Sequence, residues 1–140
     1  MTNQSGVKGR ILILEDDADL AFQWAKALRD AHFSVELAAT RVEADAWIEK
    51  QPFDLVIADI YIKRSDGKLL GDGGITLINH IRSSIGQSRV RRDTPIIAVT
   101  GIEASFGFDP LQLAYAAKAT ELLRKPFAPH ELVLLVQQLL

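Results

Sequence analysis

The sequence predicts an α/β protein: a doubly wound, five-stranded parallel sheet with helices on both faces. Two observations carry this. Short runs rich in aliphatic residues, at 11–14, 35–38, 55–58, 96–100 and 121–124, alternate with longer stretches of helical period. Near-continuous apolar runs of that length suit strands buried on both faces, as parallel strands are. The alternation of strand and helix, repeated along the whole chain, implies right-handed crossovers that lay helices on either side of the sheet.

Each helix has its own signal. Leu20, Trp24, Ala27, Leu28 and Ala31 form one apolar stripe after the first strand. Thr40 with Glu43 makes a capping-box pattern ahead of Val42, Ala46 and Trp47. Ile75, Ile78 and Ile81 with Arg82 mark a third helix. Asp109 followed by Pro110 reads as the N-cap and first-turn proline of a fourth. Pro129 opens a fifth, with Leu132, Leu135, Val136 and Leu139 as its inner face. Two stretches read as loops. Residues 63–74 are rich in Gly and Asp and suggest a hairpin-like excursion; Leu69 and Leu70 could anchor it, and Lys63, Arg64 and Lys68 could read a partner. Residues 83–94 carry Arg89, Arg91 and Arg92, expected as a solvated face.

Composition narrows the function classes. The chain has 140 residues, of which 48% are hydrophobic: enough for one domain with a real core. A net charge of -2 gives no reason to expect nucleic acid or an acidic membrane as partner. There is no cysteine, so disulfides and thiolate metal sites are excluded. The polar start, MTNQSGVKGR, lacks the apolar core of a signal peptide, and no apolar run is long enough to span a bilayer. A soluble, cytoplasmic protein is the expectation. The sequence ends at Leu140 with no DNA-binding or enzymatic segment behind the fifth helix, as expected of a stand-alone domain or one cut from a longer chain.

The chemistry sits at the strand ends. The run LVIA at 55–58 ends on Asp59, and a carboxylate on a buried strand is costly unless it is paired; otherwise the strand simply stops there and Asp59 faces water. The first strand ends in Glu15-Asp16-Asp17, the fourth in Thr100, and the fifth runs into Arg124-Lys125-Pro126. In open parallel sheets ligands bind outside the carboxyl ends of the strands. If the first and third strands are neighbours, Glu15, Asp16 and Asp59 crowd one pocket. Two carboxylates about 4 Å apart repel by roughly 4 kcal/mol at an effective dielectric near 20. A few oxygen ligands with room for water suit Mg2+ better than a caged Ca2+ site.

Four stretches then make a resemblance specific: ILILEDD (11–17), LVIAD (55–59), TPIIAVTG (94–101) and LLRKPF (122–127). In this order and at these strand ends, the chain resembles a response-regulator receiver domain of two-component signalling over essentially its whole length. The resemblance implies a flavodoxin-like (βα)5 fold with strand order 2-1-3-4-5, spanning 10–140 behind a polar tail at 1–9. It implies Asp59 as phosphoacceptor, taking a phosphoryl group from a phosphohistidine on a histidine kinase or phosphotransfer protein. Asp16 would bind Mg2+ with Glu15 as second acid, Asp59 and the backbone carbonyl of Tyr61 completing the protein ligands. Lys125 would contact the acyl phosphate, through a cis Lys125–Pro126 bond, and Thr100 would turn its hydroxyl onto it. Such a domain is a signalling switch rather than an enzyme, with self-catalysed phosphotransfer and dephosphorylation. Its output is an unidentified protein partner or a homodimer through the fourth helix, fifth strand and fifth helix.

Three features depart from the family pattern. Leu122 stands where the family usually has a switch aromatic; the loop at 63–74 is long; and IEASFGFDP (102–110) is extended and carries Phe106 and Phe108. These departures favour one rival, a pseudo-receiver that binds proteins without phosphorylation, whereas the intact set of Glu15, Asp16, Asp59, Thr100 and Lys125 favours the phosphorylated form. An aspartate-nucleophile phosphatase of the haloacid-dehalogenase type would want an acid at position 61, where Tyr stands. His32, His80 and His130 show no ligand spacing and read as ordinary surface or core residues.

Overall fold

The computed structural model describes residues 6–60, 62–63, 69–70, 73–83, 88–101 and 118–140. In chain order the elements are β1 (Arg10–Leu14), α1 (Ala18–Asp30), β2 (Ser34–Ala38), α2 (Arg41–Lys50), β3 (Leu55–Asp59), β4 (Ile62–Lys63), β5 (Leu69–Leu70), α3 (Gly73–Ser83), β6 (Ile96–Thr100), β7 (Glu121–Arg124) and α4 (Pro129–Leu139). The five long strands form one sheet in the order β2-β1-β3-β6-β7, which is the expected 2-1-3-4-5. Every pair in it is parallel.

Parity along the strands shows why the runs had to be apolar throughout. Ile11 and Ile13 of β1, Leu55 and Ile57 of β3, and Ile97 and Val99 of β6 pack against α1 and α4 through Trp24, Leu28, Leu132 and Val136. The alternate residues, Leu12, Leu14, Val56, Ala58, Ile96 and Ala98, pack against α2 and α3 through Ala44, Ile48, Leu77, Ile78 and Ile81. Both faces of these three central strands are dry, which leaves no room for alternating polar residues, whereas the edge strands β2 and β7 carry Glu36 and Glu121.

Several expectations shift in detail. Arg10, Ser34 and Asp59 each lengthen a strand by one residue, so Asp59 belongs to β3. Thr40 caps α2 by accepting from Glu43 N at 3.1 Å, but the Glu43 carboxylate accepts from Ala39 N at 2.8 Å and not from the cap residue, so the capping box is only half formed. On α3 the buried stripe is Leu77, Ile78 and Ile81, with Ile75 half-buried, because the helix enters over β3. Pro129 opens α4 as expected; Leu132 and Val136 are buried, whereas Leu135 and Leu139 lie at the edge of the same core. The excursion starts one residue earlier than expected, in an antiparallel pair, Ile62↔Leu70 and Lys63↔Leu69. The side chains of Leu69 and Leu70, its proposed anchors, are not among those described, and the fourth helix at Asp109-Pro110, with Phe106 and Phe108, lies outside the described residues.

The arginine stretch divides as polar loops do. Arg91 pairs with Asp93 at 3.0 Å on the exposed surface, and Arg89 Nε donates to the Glu49 carbonyl at 3.1 Å. Arg82, at the end of α3, is the structural one. Its guanidinium donates to the carbonyls of Lys118 (3.0 Å), Arg92 (2.9 Å) and Thr94 (2.5 Å) and to Thr120 Oγ1 (3.2 Å). One side chain thus ties α3 to the segments leading into β6 and β7. Arg82→Met should cost about 1–3 kcal/mol, because it removes four hydrogen bonds of one cation, one of them to the carbonyl of the buried Thr94. The solvated Arg92→Met should change stability by less than about 0.5 kcal/mol. Urea denaturation checks the pair, and equal midpoints for the two variants would contradict this account.

Candidate functional site

The parity that fills the core also aims the acids. Glu15 continues the row of Ile11 and Ile13, and Asp59 the row of Leu55 and Ile57, so both point to the α1 side at the carboxyl edge of the sheet. Pairing persists that far: Glu15 N donates to the Ala38 carbonyl at 3.0 Å, and Ile60 N to that of Val99 at 3.0 Å. Glu15 is 2% exposed and Asp59 3% exposed, which rules out an Asp59 that merely faces water. Asp16 is half-buried beside them, and oxygens of Glu15, Asp16 and Asp59 lie within 4.8 Å of one another.

Lys125 reaches this cluster from the end of β7. Its Nζ is 2.8 Å from Asp59 Oδ2 and 2.7 Å from Glu15 Oε1. The contact with Asp59 is an aligned hydrogen bond. The one with Glu15 is an ion pair whose angle leaves Oε1 buried without an aligned donor. Glu15 Oε2 accepts from Asp17 N at 3.0 Å. Backbone pairing sets Lys125 beside Thr100: Thr100↔Arg124 is the last register pair, and Lys125 N donates to the Thr100 carbonyl at 2.7 Å. Thr100 is fully buried, its hydroxyl donating to the Gly101 carbonyl at 3.4 Å. The Lys125–Pro126 bond is cis.

Burial, then the neighbouring Asp59 charge, push the Glu15 carboxyl up from its ordinary 4.5 to about 7. For Lys125, burial pulls the other way, but Asp59 and Glu15 outweigh it and the ammonium is held above its usual range. The site therefore keeps its cation and is short of positive charge for its acids.

Of the residues expected from sequence, Glu15, Asp16, Asp59, Thr100 and Lys125 converge, while Tyr61 lies outside the described residues. Asp17 is turned away: its carboxylate caps α1, accepting from Leu20 N at 3.1 Å. Leu122 packs at the edge of the α2–α3 core. The structure gives Gly74 a part in shaping the pocket. A Cβ on Gly74 would overlap the Asp59 carbonyl oxygen and crowd Ile60 Cα, so only glycine lets α3 start against the strand end.

The donor set fits a hard divalent cation. With all three acids ionised, the carboxylates exceed the one ammonium by two charges, and Glu15 Oε1 is a buried acceptor without an aligned donor. All candidate ligands are oxygens, and three acids from two strand ends leave room for water, as Mg2+ prefers.

Fold and pocket together define a doubly wound α/β domain with a cation-ready acidic site at the carboxyl edge of its sheet. The chain belongs to the response regulator receiver domain family, which it matches over residues 11–137. It is thus a receiver domain of a two-component system, of the family that interacts with histidine kinases and uses Mg2+ at an acidic pocket. Among curated proteins it is similar to the alginate biosynthesis transcriptional regulatory protein AlgB of Pseudomonas aeruginosa, 26% identical over 132 residues, covering 94% of this chain and 26% of AlgB. The chain thus spans about a quarter of the length of that relative. Among solved structures it is similar to the chemotaxis response regulator CheY4 of Vibrio cholerae, with 27% identity, a TM-score of 0.71, and 94% and 98% of the two chains covered. A CheY-like receiver domain protein from Methanospirillum hungatei gives 29% identity and a TM-score of 0.73, covering 92% of this chain and 90% of that one. Among the described residues, no helix is long and apolar enough to cross a membrane.

The raised Glu15 carboxyl fixes the sign of a pH effect. The folded state holds this proton more tightly than the unfolded chain, so between pH 4.5 and about 7 the group withdraws stability as pH rises. Without divalent cation, the wild type should lose stability relative to Glu15→Gln across that window. Millimolar Mg2+ at pH about 7.5 should raise the melting temperature of the wild type by binding linkage and that of Glu15→Gln less. Thermal melts at several pH values check this. Parallel pH curves for the two proteins, or no response to Mg2+, would contradict the acid cluster as described.

Proposed function

We propose that this receiver accepts a phosphoryl group on Asp59 and that the modification switches a protein-binding face. The observation that carries the reading is the buried Asp59 carboxylate, placed at a strand end and paired at 2.8 Å with Lys125. In the proposed reaction an Asp59 oxygen attacks the phosphorus of a phosphohistidine on a histidine kinase or phosphotransfer protein. The P–O bond forms, the P–N bond breaks, and its electron pair returns to the imidazole. Bound Mg2+ supplies positive charge for the phosphoryl oxygens. Glu15 and Asp16 would hold it, with Asp59 sharing the site.

The chain's own groups do the rest by position. Lys125 neutralises charge on the arriving oxygens while remaining cationic, as its raised pKa requires. Thr100, anchored next to Lys125, turns its hydroxyl from the Gly101 carbonyl toward the modified Asp59 and so reports the modified state. Gly74 keeps α3 close to the acceptor backbone. With Leu122 in place of a ring, the signal leaves through repacking of an apolar side chain. The domain is then a switch with self-catalysed gain and loss of phosphate.

The second reading, a pseudo-receiver, draws on Leu122 and on the altered loops, and the complete acid–lysine set weighs against it. Incubation with Mg2+ and a small phosphodonor should add one phosphoryl group to the wild type, seen by intact mass. Asp59→Asn should add none. Labelling of Asp59→Asn at the wild-type level would move the acceptor elsewhere, and an unlabelled wild type would favour the pseudo-receiver.

A further inference from the structure

We infer that Trp24 is a positioning residue for Lys125: its indole face holds the ammonium toward Asp59 when a cation occupies the acids. The inference rests on the proposed role of Asp59. By sequence, Trp24 is one member of an apolar helical stripe, and its 2% exposure is explained by packing against Ile11, Ile13, Ile57 and Val99. Packing does not explain what lies on the ring. Lys125 Nζ stands over the indole, 5.7 Å from its centroid, while also contacting Glu15 and Asp59. Phe127 stacks on the same indole, centroids 5.2 Å apart and planes 23° from parallel. Residues 125 and 127, on either side of Pro126, therefore both bear on one α1 side chain.

A lysine ammonium is a point charge on a flexible stem, and its position depends on everything that attracts it. Here two attractions are carboxylates that a divalent cation would share. Once their charge is engaged, their hold on Lys125 weakens, and the stem is free to swing toward water. An aromatic face attracts the ammonium through its quadrupole, most strongly in partly desolvated places, and Mg2+ does not compete for it. Trp24 is the contact that persists. Trp47 shows the contrast: Lys50 lies 5.1 Å from its centroid at an exposed position away from any acid pocket, and its indole N–H donates to the Leu37 carbonyl at 3.2 Å.

The test compares wild type, Trp24→Phe and Trp24→Leu as full chains in Mg2+. The first readout is the ε-methylene resonance of Lys125, assigned with Lys125→Met. In the wild type it should be shifted upfield by the indole ring current, and in Trp24→Leu it should relax toward that of a solvated lysine. The second is the initial rate of labelling by a small phosphodonor, expected to fall by about three- to ten-fold in Trp24→Leu with Mg2+ affinity unchanged. Trp24→Phe, which keeps a ring face, should recover most of both. An unshifted Lys125 resonance in the wild type overturns the inference whether or not Trp24→Leu folds. So does a Trp24→Phe labelled as slowly as a folded Trp24→Leu, or a folded Trp24→Leu labelled at the wild-type rate. A wild type that takes no label would instead sink the role of Asp59, while the resonance still decides the contact.

Discussion

Two buried carboxylates from adjacent parallel strands share one ammonium, and the rest of the site follows from that. Glu15 and Asp59 are forced together because β1 and β3 are neighbours and because both residues fall on the α1 side of their strands. Neither can reach water to relieve the repulsion. Lys125 offsets part of it, and the remaining charge is what a divalent cation would answer. Burial, and then the Asp59 charge beside it, pushes Glu15 toward neutrality.

The scaffold serves to hold that arrangement still. Burial of the sheet on both faces gives the strand ends rigid backbones, and the β6–β7 register sets Thr100 and Lys125 side by side. Asp17 turns the chain sharply out of β1 by capping α1, which leaves Asp16 at the rim. Gly74 brings α3 against the Asp59 peptide. Far from the pocket, Arg82 ties the segments that launch β6 and β7, so the strand ends facing the acids are anchored at their other end too.

Most of the fold was legible because a two-sided sheet demands continuous apolar runs, and those runs stand out from the helical stripes between them. The candidate acids were legible as charged residues at the ends of apolar strands. Strand order was not readable from periodicity; it came from family resemblance. What stayed hidden needs tertiary information. Asp16 and Asp17 are chemically identical neighbours; the resemblance pointed to Asp16, and the turn into α1 gives the reason, because Asp17 caps the helix. That no residue larger than glycine fits at position 74 became visible only where a helix start abuts a strand. On α3 the stripe of Ile75, Ile78 and Ile81 does face the core, but it left out Leu77, which completes the buried face. Trp24 read as an ordinary stripe residue, since its second partner lies a hundred residues away along the chain.

The central claim is that the carboxylate placed by β3 is the chemical centre of this domain. The most direct measurement is reductive trapping of the phosphodonor-treated protein with borohydride, followed by peptide mass mapping. An acyl phosphate reduces to an alcohol, so the account predicts homoserine at position 59 and unmodified acids at positions 15, 16 and 17. Reduction at Glu15, Asp16 or Asp17 with Asp59 intact would contradict it.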